Sequence, residues 1–163
     1  MVRIVSDTGP IIGLAKIGKI DLLKTLTDEI LIPPFVHKEL FGKIGPEAVH
    51  IDKAINEFIR MAPISDSGSS VMNVLAELDE GERQAIRLAR SFDKDVLLLM
   101  DDYAGRKAAR KLDLSVTGLI GLFILAKRKG LIENVVPLLE ALRETGYWLS
   151  EEVIKIAKKL AGE

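Results

Sequence analysis

The sequence predicts a three-layer α/β/α fold, with a parallel sheet of about four or five strands between two helical layers and a helical extension at the C-terminal end. Three observations carry that expectation. Short apolar, β-rich runs at Arg3–Ser6, Glu29–Ile32, Asp95–Met100 and Leu114–Val116 alternate with segments of helical periodicity, the order that gives parallel strands with helices on both faces. Val96-Leu97-Leu98-Leu99-Met100 is continuously apolar between charged neighbours, as expected of a central strand in a parallel sheet. The length of 163 residues, with 48% hydrophobic and 29% charged side chains, suits one globular domain able to bury a core without staples. Its core is expected at about 1–130, with the helical extension at about 131–163.

Each element has its own local reason. Arg3–Ser6 reads as a buried strand that runs into Asp7-Thr8-Gly9-Pro10, a capping residue and a proline where a helix should begin. Ile12, Ala15 and Ile17, then Leu22, Leu23 and Leu26, keep near-helical spacing, interrupted at Gly18 and restarted at Asp21. Glu29–Ile32 is a second strand, stopped by Pro33-Pro34, and Phe35–Phe41 a short helix. Gly42–Gly45 turns the chain into a helix expected over Glu47–Met61. Pro63–Ser70 reads as the clearest loop and the most mobile segment. Helical periodicity returns over Asp79–Phe92, Asp102–Leu112, Leu119–Lys129 and Glu133–Thr145. Gly130 and Gly146 close the last two of these, and Ser150 caps a final helix ending near Leu160.

Composition removes whole classes of function. There is no cysteine, so a disulfide framework and a thiolate metal site are excluded. Lys and Arg number 23 against 24 Asp and Glu, a formal net charge of -1, which excludes a basic nucleic-acid coat but leaves room for a local basic patch. The start of the chain meets an acid too soon for a signal peptide. The longest uncharged stretch, Leu114–Ala126 apart from its single flanking acid before it, is interrupted by Gly118 and Gly121 and falls short of the roughly 18–20 apolar residues that span a bilayer. A cytoplasmic protein with no membrane contact is expected.

The acids sit at the ends of elements. Asp7 and Asp101 each follow a predicted buried strand, while Glu39, Glu82 and Asp102 lie on or beside helices. In an open α/β sheet the carboxyl ends of the strands open into the ligand crevice. Carboxylates gathered there repel one another, and a hard divalent cation such as Mg²⁺ or Mn²⁺, which prefers oxygen ligands, relieves that repulsion. Each acid also has an ordinary structural reading. Asp7 can cap a helix, Asp79 and Glu82 can form a reciprocal capping box, Glu39 can be a solvated surface charge, and one of Asp101-Asp102 can cap the helix that follows.

Taken in order, the segments resemble the PIN-domain family, in the compact stand-alone form found as the toxin of prokaryotic toxin–antitoxin pairs. The resemblance rests on Val5-Ser6-Asp7-Thr8-Gly9-Pro10 with the helix after it, on Ile30-Leu31-Ile32-Pro33-Pro34 with Val36, Glu39 and Leu40, and on Leu78-Asp79-Glu80-Gly81-Glu82 with Ala85-Ile86. Its fourth segment is Leu98-Leu99-Met100-Asp101-Asp102, followed by Arg106, Ala109-Arg110 and Val116-Thr117-Gly118. The likeness implies an acidic pocket of Asp7, Glu39, Glu82 and Asp101 that holds Mg²⁺ or Mn²⁺ for hydrolysis of RNA phosphodiesters. Asp102 is implied as an accessory ligand, and either member of the adjacent pair could face the metal. The third acid departs from the commonest toxin pattern, being a Glu in an Asp-x-x-Glu turn. The resemblance further implies a homodimer and a small helical antitoxin. The apolar side of Ile11–Leu23 and the terminal helices with Trp148 are the candidate contact surface, with core packing as the alternative use of those side chains.

Supporting roles follow from residue chemistry. Ser6, Thr8 and Thr117 place hydroxyls beside strand ends, where they could bind a metal water or a phosphate oxygen, or serve as ordinary caps. Arg106 and Arg110, four apart on one helix face, suit neighbouring phosphates, although a solvated helix end favoured by the helix dipole would look the same. His37 and Glu39 point to different faces, and there is no phosphate-binding G-x-x-x-x-G-K-[ST] loop. With eight aromatics, RNA selection is expected to rest on backbone shape and accessible single strands more than on stacking. A PIN-like protein- or RNA-binding module with weak catalysis is the rival expectation, and the four acids speak against it because binding alone does not require them.

Overall fold

The structure is a computed structural model that describes residues 2–65 and 72–163. Its five strands are β1 (Arg3–Ser6), β2 (Ile30–Ile32), β3 (Ile59–Met61), β4 (Val96–Leu99) and β5 (Val116–Thr117). They form one parallel sheet in the order β3-β2-β1-β4-β5. β1 lies in the middle, with Ile4 beside Ile30 of β2 on one side and beside Leu97 of β4 on the other. The chain leaves β1 towards β2 and later returns to β1's other edge as β4. The crevice where an α/β sheet binds ligands therefore opens between the ends of β1 and β4.

Alternation along the strands divides the core in two. Ile4, Ile30, Ile32 and Leu99 face a cluster built on α1 (Thr8–Lys16), α8 (Leu119–Arg128) and α9 (Val136–Glu144), with Leu14, Phe123 and Leu139 fully buried. Val5, Leu31 and Leu98 face the opposite cluster, packed under α6 (Glu80–Arg90) and α7 (Tyr103–Lys111) through Ile86, Leu88 and Ala109. Successive strand residues point to opposite faces, so strands this apolar need helices on both sides. The expected three-layer α/β/α architecture is what forms. Ala157 of α10 (Glu151–Ala161) joins the first cluster, and Ser150 caps α10 by accepting from the Val153 N–H at 3.1 Å.

The remaining helices are α2 (Leu22–Leu26), α3 (Pro34–Phe41), α4 (Ala48–Glu57) and the single turn α5 (Met72–Leu75), which the sequence did not suggest. The helix expected over Glu47–Met61 ends at Glu57, and β3 follows it. Phe58, at φ -143, breaks the helix, and Ile59 pairs with Ile30. A three-residue edge strand with one buried position has no periodicity to betray it. β5 lies later than the expected Leu114–Val116, because Val116 and Thr117 pair with Leu98 and Leu99. Of the loop expected at Pro63–Ser70, residues 63–65 have no regular structure and 66–70 lie outside the described residues. Ile11, Leu14 and Leu23 are fully buried, so the apolar side of Ile11–Leu23 is core and not a contact surface. Among the described residues no helix is long and apolar enough to cross a membrane.

Candidate active site

Asp7 follows β1 directly and Asp101 stands two residues beyond β4, placing both carboxylates at the crevice. The backbone ties the two strand ends together, with the Asp7 N–H donating to the Leu99 carbonyl at 3.0 Å. Asp7 occupies the entry of α1, yet its side chain makes no capping hydrogen bond. Two other acids do cap their helices. Asp79 Oδ1 accepts from the Glu82 N–H at 2.8 Å, and Asp102 Oδ2 accepts from the Gly105 N–H at 2.7 Å. Within the adjacent pair, Asp102 spends one oxygen on α7 and Asp101 does not, while both line the same cleft.

Asp101 is held and yet incomplete. Its Oδ1 accepts from the Leu119 N–H at 3.2 Å, at the start of α8. Its Oδ2 is buried and has no hydrogen-bond partner among the described residues, and a Cβ built on Gly9, two residues past Asp7, would lie 3.6 Å from it. The Tyr147 hydroxyl favours the charged form of Asp101 from nearby, without reaching a full hydrogen bond to that orphaned oxygen. Burial nonetheless raises the Asp101 carboxyl above the ordinary range, against the pull of Tyr147, the Leu119 N–H and Arg106.

The other acids meet over Gly81. A Cβ built there would stand 3.0 Å from Glu39 Oε1, 3.3 Å from Asp7 Oδ1 and 3.5 Å from Asp79 Oδ1. Three carboxylates from α3, the β1–α1 junction and the cap of α6 thus share a space that only glycine leaves open. Thr8 fixes one of them, its hydroxyl donating to Glu39 Oε1 at 2.7 Å. The Asp7 carboxyl is pushed up to about 6 by burial, opposed by the Thr8 N–H and reinforced by the charges of Asp79, Glu39 and Asp101. Glu82 is pushed up to about 8, by burial, by the hydrogen bond of its protonated form to Asp79, and by the charges of Asp79, Asp102 and Asp7. The capping box expected from Asp79 and Glu82 is therefore half formed: Asp79 caps, while the Glu82 carboxyl turns to another carboxylate. Such crowding disfavours full ionisation without a cation.

The structure brings Asp7, Glu39, Glu82 and Asp101 to one end of the sheet and engages Asp102 as a cap. It places the supporting residues differently. Ser6 is fully buried and its hydroxyl donates to the Asp7 carbonyl at 2.9 Å, so it fixes backbone and faces no ligand. Thr117 Oγ donates to the Gly118 carbonyl at 3.1 Å and lies against Gly121. Arg106 reaches the site, donating from Nη1 to the Met100 carbonyl at 3.3 Å and also to the Asp101 carbonyl. Arg110, a turn further along α7, is exposed and makes no such contact. Tyr147, Gly81 and Gly118 were missed by sequence reasoning. Gly81 stood in the Asp-Glu-Gly-Glu turn as a signal, whereas nothing local to Tyr147 announces that it crosses to Asp101.

The donor set suits a hard cation: carboxylate oxygens only, one of them orphaned, beside a cradle that a Cβ would fill. Among the described residues no group of three or more acids or histidines already stands in position to hold a metal ion.

A parallel sheet with acids gathered at its switch point defines an α/β protein whose candidate site lies at the ends of β1 and β4. The chain belongs to the PIN-domain family, whose model matches residues 3–163, a family of nuclease-type domains acting on nucleic acid. Among solved structures, a domain of a functionally unknown protein from Methanocaldococcus jannaschii DSM 2661 is similar at 19% identity and a TM-score of 0.47, covering 72% of this chain and 91% of that one. No curated protein matches the chain.

Proposed function

We propose that the protein is a metal-dependent endoribonuclease, with Asp7, Glu39, Glu82 and Asp101 holding Mg²⁺ or Mn²⁺ and Asp102 an accessory acid. The observation that carries this reading is the pair of half-buried carboxylates at the ends of β1 and β4, that of Asp7 making no capping hydrogen bond and that of Asp101 having one oxygen unpartnered among the described residues. A divalent ion bound there supplies charge neutralisation at a phosphodiester and a more acidic bound water. The chain's own residues do the positioning. Thr8 holds Glu39, the Leu119 N–H holds Asp101, and Arg106, anchored on two carbonyls, offers its charge to a substrate phosphate. Arg110 extends that basic face to a neighbouring phosphate.

The test is cleavage of single-stranded RNA by the purified chain with Mg²⁺ or Mn²⁺, abolished by EDTA and by Asp7→Asn. Equal cleavage by wild type and Asp7→Asn would remove Asp7 from the site. One observation favours a second reading, a binding module of the same fold with weak catalysis: among the described residues no group of three or more acids or histidines already stands in position to hold an ion. Calorimetry with Mn²⁺ decides between them, since no uptake at neutral pH supports the binding module. The toxin role, a homodimer and a small helical antitoxin belong to the same proposal, resting on the sequence resemblance alone. Growth arrest on expression that Asp7→Asn relieves, together with copurification of a short partner, tests the toxin role. Sedimentation tests the dimer.

A further inference from the structure

The chain contains one Trp and two Tyr, and all three line a single cleft of about 470 Å³ that Asp101 and Asp102 also line. Tyr103 comes from the first turn of α7, while Tyr147 and Trp148 come from the segment between α9 and α10. That segment is fixed at both ends. The Tyr147 N–H donates to the Leu142 carbonyl at 3.2 Å, and Ser150 caps α10. Tyr147 packs inward, its ring 3.6 Å from a Cβ built on Gly13 of α1. Its neighbour Trp148 is 83% exposed and Tyr103 is 69% exposed, so two aromatic faces stand open to water beside the acids. Leu142, Leu149 and Val153 complete an apolar lining.

The same cleft contains Arg106, which donates to carbonyl oxygens and forms no carboxylate ion pair among the described residues. A Cβ on Gly118 would lie 3.3 Å from Arg106 Nη1 and 3.3 Å from Asp101 Oδ1, so glycine there lets cation and acid stand side by side. An apolar aromatic trough with one guanidinium at its acidic end matches a nucleotide: a flat base to stack and an adjoining phosphate to neutralise. An apolar peptide would bring no anion to that cation. The volume is that of a small-molecule site, too confined for paired bases.

We infer that this cleft is a base-binding subsite, in which Trp148 and Tyr103 stack one unpaired base of the RNA and Arg106 holds its phosphate next to Asp101. The inference rests on the nuclease reading and narrows its substrate to RNA that presents an unstacked base beside the cleaved bond, because a base within a duplex cannot enter.

Trp148 is the sole tryptophan, so the intrinsic fluorescence of the full chain reports this cleft directly. With Asp7→Asn protein, to prevent turnover, a single-stranded oligoribonucleotide should quench Trp148 saturably. One abasic position should weaken that binding about tenfold, and the matching duplex should fail to quench. In cleavage assays Trp148→Ala should raise KM by about tenfold, more than it lowers kcat, with Trp148→Phe restoring most of the loss. Quenching that is indifferent to abasic substitution at every position would overturn the subsite. So would a fluorescence shift that depends on protein concentration and not on RNA, which would assign the face to a second copy of the chain. The two readings fail separately. Cleavage by wild type and Trp148→Ala with equal KM removes the base subsite alone. Base-dependent quenching by a chain that cleaves no RNA with either metal removes the nuclease reading alone.

Discussion

The two ends of the sheet treat charge in opposite ways. At the amino end, Arg3 pairs with Glu29 at 3.0 Å and its guanidinium lies 4.4 Å over the Phe92 ring, while the Thr27 hydroxyl donates to the Val2 carbonyl. Charge and polarity there find partners on neighbouring elements. At the carboxyl end, Asp7, Glu39, Glu82 and Asp101 gather, one carboxylate oxygen has no partner among the described residues, and Arg106 gives its hydrogen bonds to carbonyls. Folding alone gains nothing from that arrangement, since buried like charges oppose it. The difference fits the proposed site at the carboxyl end and a framework role for the amino end.

The largest effect expected from breaking the contrast is on activity. Asp7→Asn or Asp101→Asn should lower RNA cleavage by about 10²-fold or more, on the scale of removing a group that stabilises a transition state, with no loss of melting temperature. A parallel fall in stability and activity would mean that these acids are structural. The next effect is on the pH dependence of metal-free stability. The Asp7 carboxyl is raised to about 6 from 3.8, so between those values the folded chain binds more protons than the unfolded one, and stability falls as pH rises. Glu82, raised to about 8, carries the fall further. Asp7→Asn should therefore exceed wild type by roughly 2–3 kcal/mol in EDTA at pH 7 and match it near pH 4, as measured by denaturant unfolding. Added Mn²⁺ should close the gap, while a constant difference across pH would contradict burial of the Asp7 charge.

How much of this was legible in the sequence depends on the range of the interaction. Strand β4 announced itself, because Val96–Met100 must be buried on both faces. β3 did not, because its pairing with β2 is made across the sheet and leaves only Ile59 buried. The four acids could be placed at element ends, and their order carried the family. What sequence could not give was which acids cap. Asp7 and Asp102 have equally good capping contexts, yet only Asp102 uses its side chain that way. The expectation that aromatics matter little came from a count of eight; the fold concentrates Tyr103, Tyr147 and Trp148 in one cleft, which no count reveals.

Gly81 tests the crowded end by a smaller change. An alanine there suits a helix by about 1 kcal/mol over glycine, but its methyl would press on Glu39 Oε1 at 3.0 Å and Asp7 Oδ1 at 3.3 Å. Gly81→Ala should therefore hold or raise the melting temperature while cutting cleavage about tenfold, near 1.4 kcal/mol of barrier. Unchanged cleavage would show that the space over Gly81 is not used.

The smallest effect belongs to the framework end. Arg3 and Glu29 are each partly exposed, with side-chain accessibilities of 37% and 34%, so their pairing is worth at most about 1 kcal/mol and weakens with salt. Glu29→Ala should lower stability by about that amount at low ionic strength, and less at high salt. Arg3→Ala should cost slightly more, because it also gives up the contact with Phe92. Neither should move kcat or KM for RNA, since Asp7 stands at the opposite end of β1. A change in kcat at unchanged stability would mean that strain at the framework end reaches Asp7 along β1, and the division between the two ends would no longer hold.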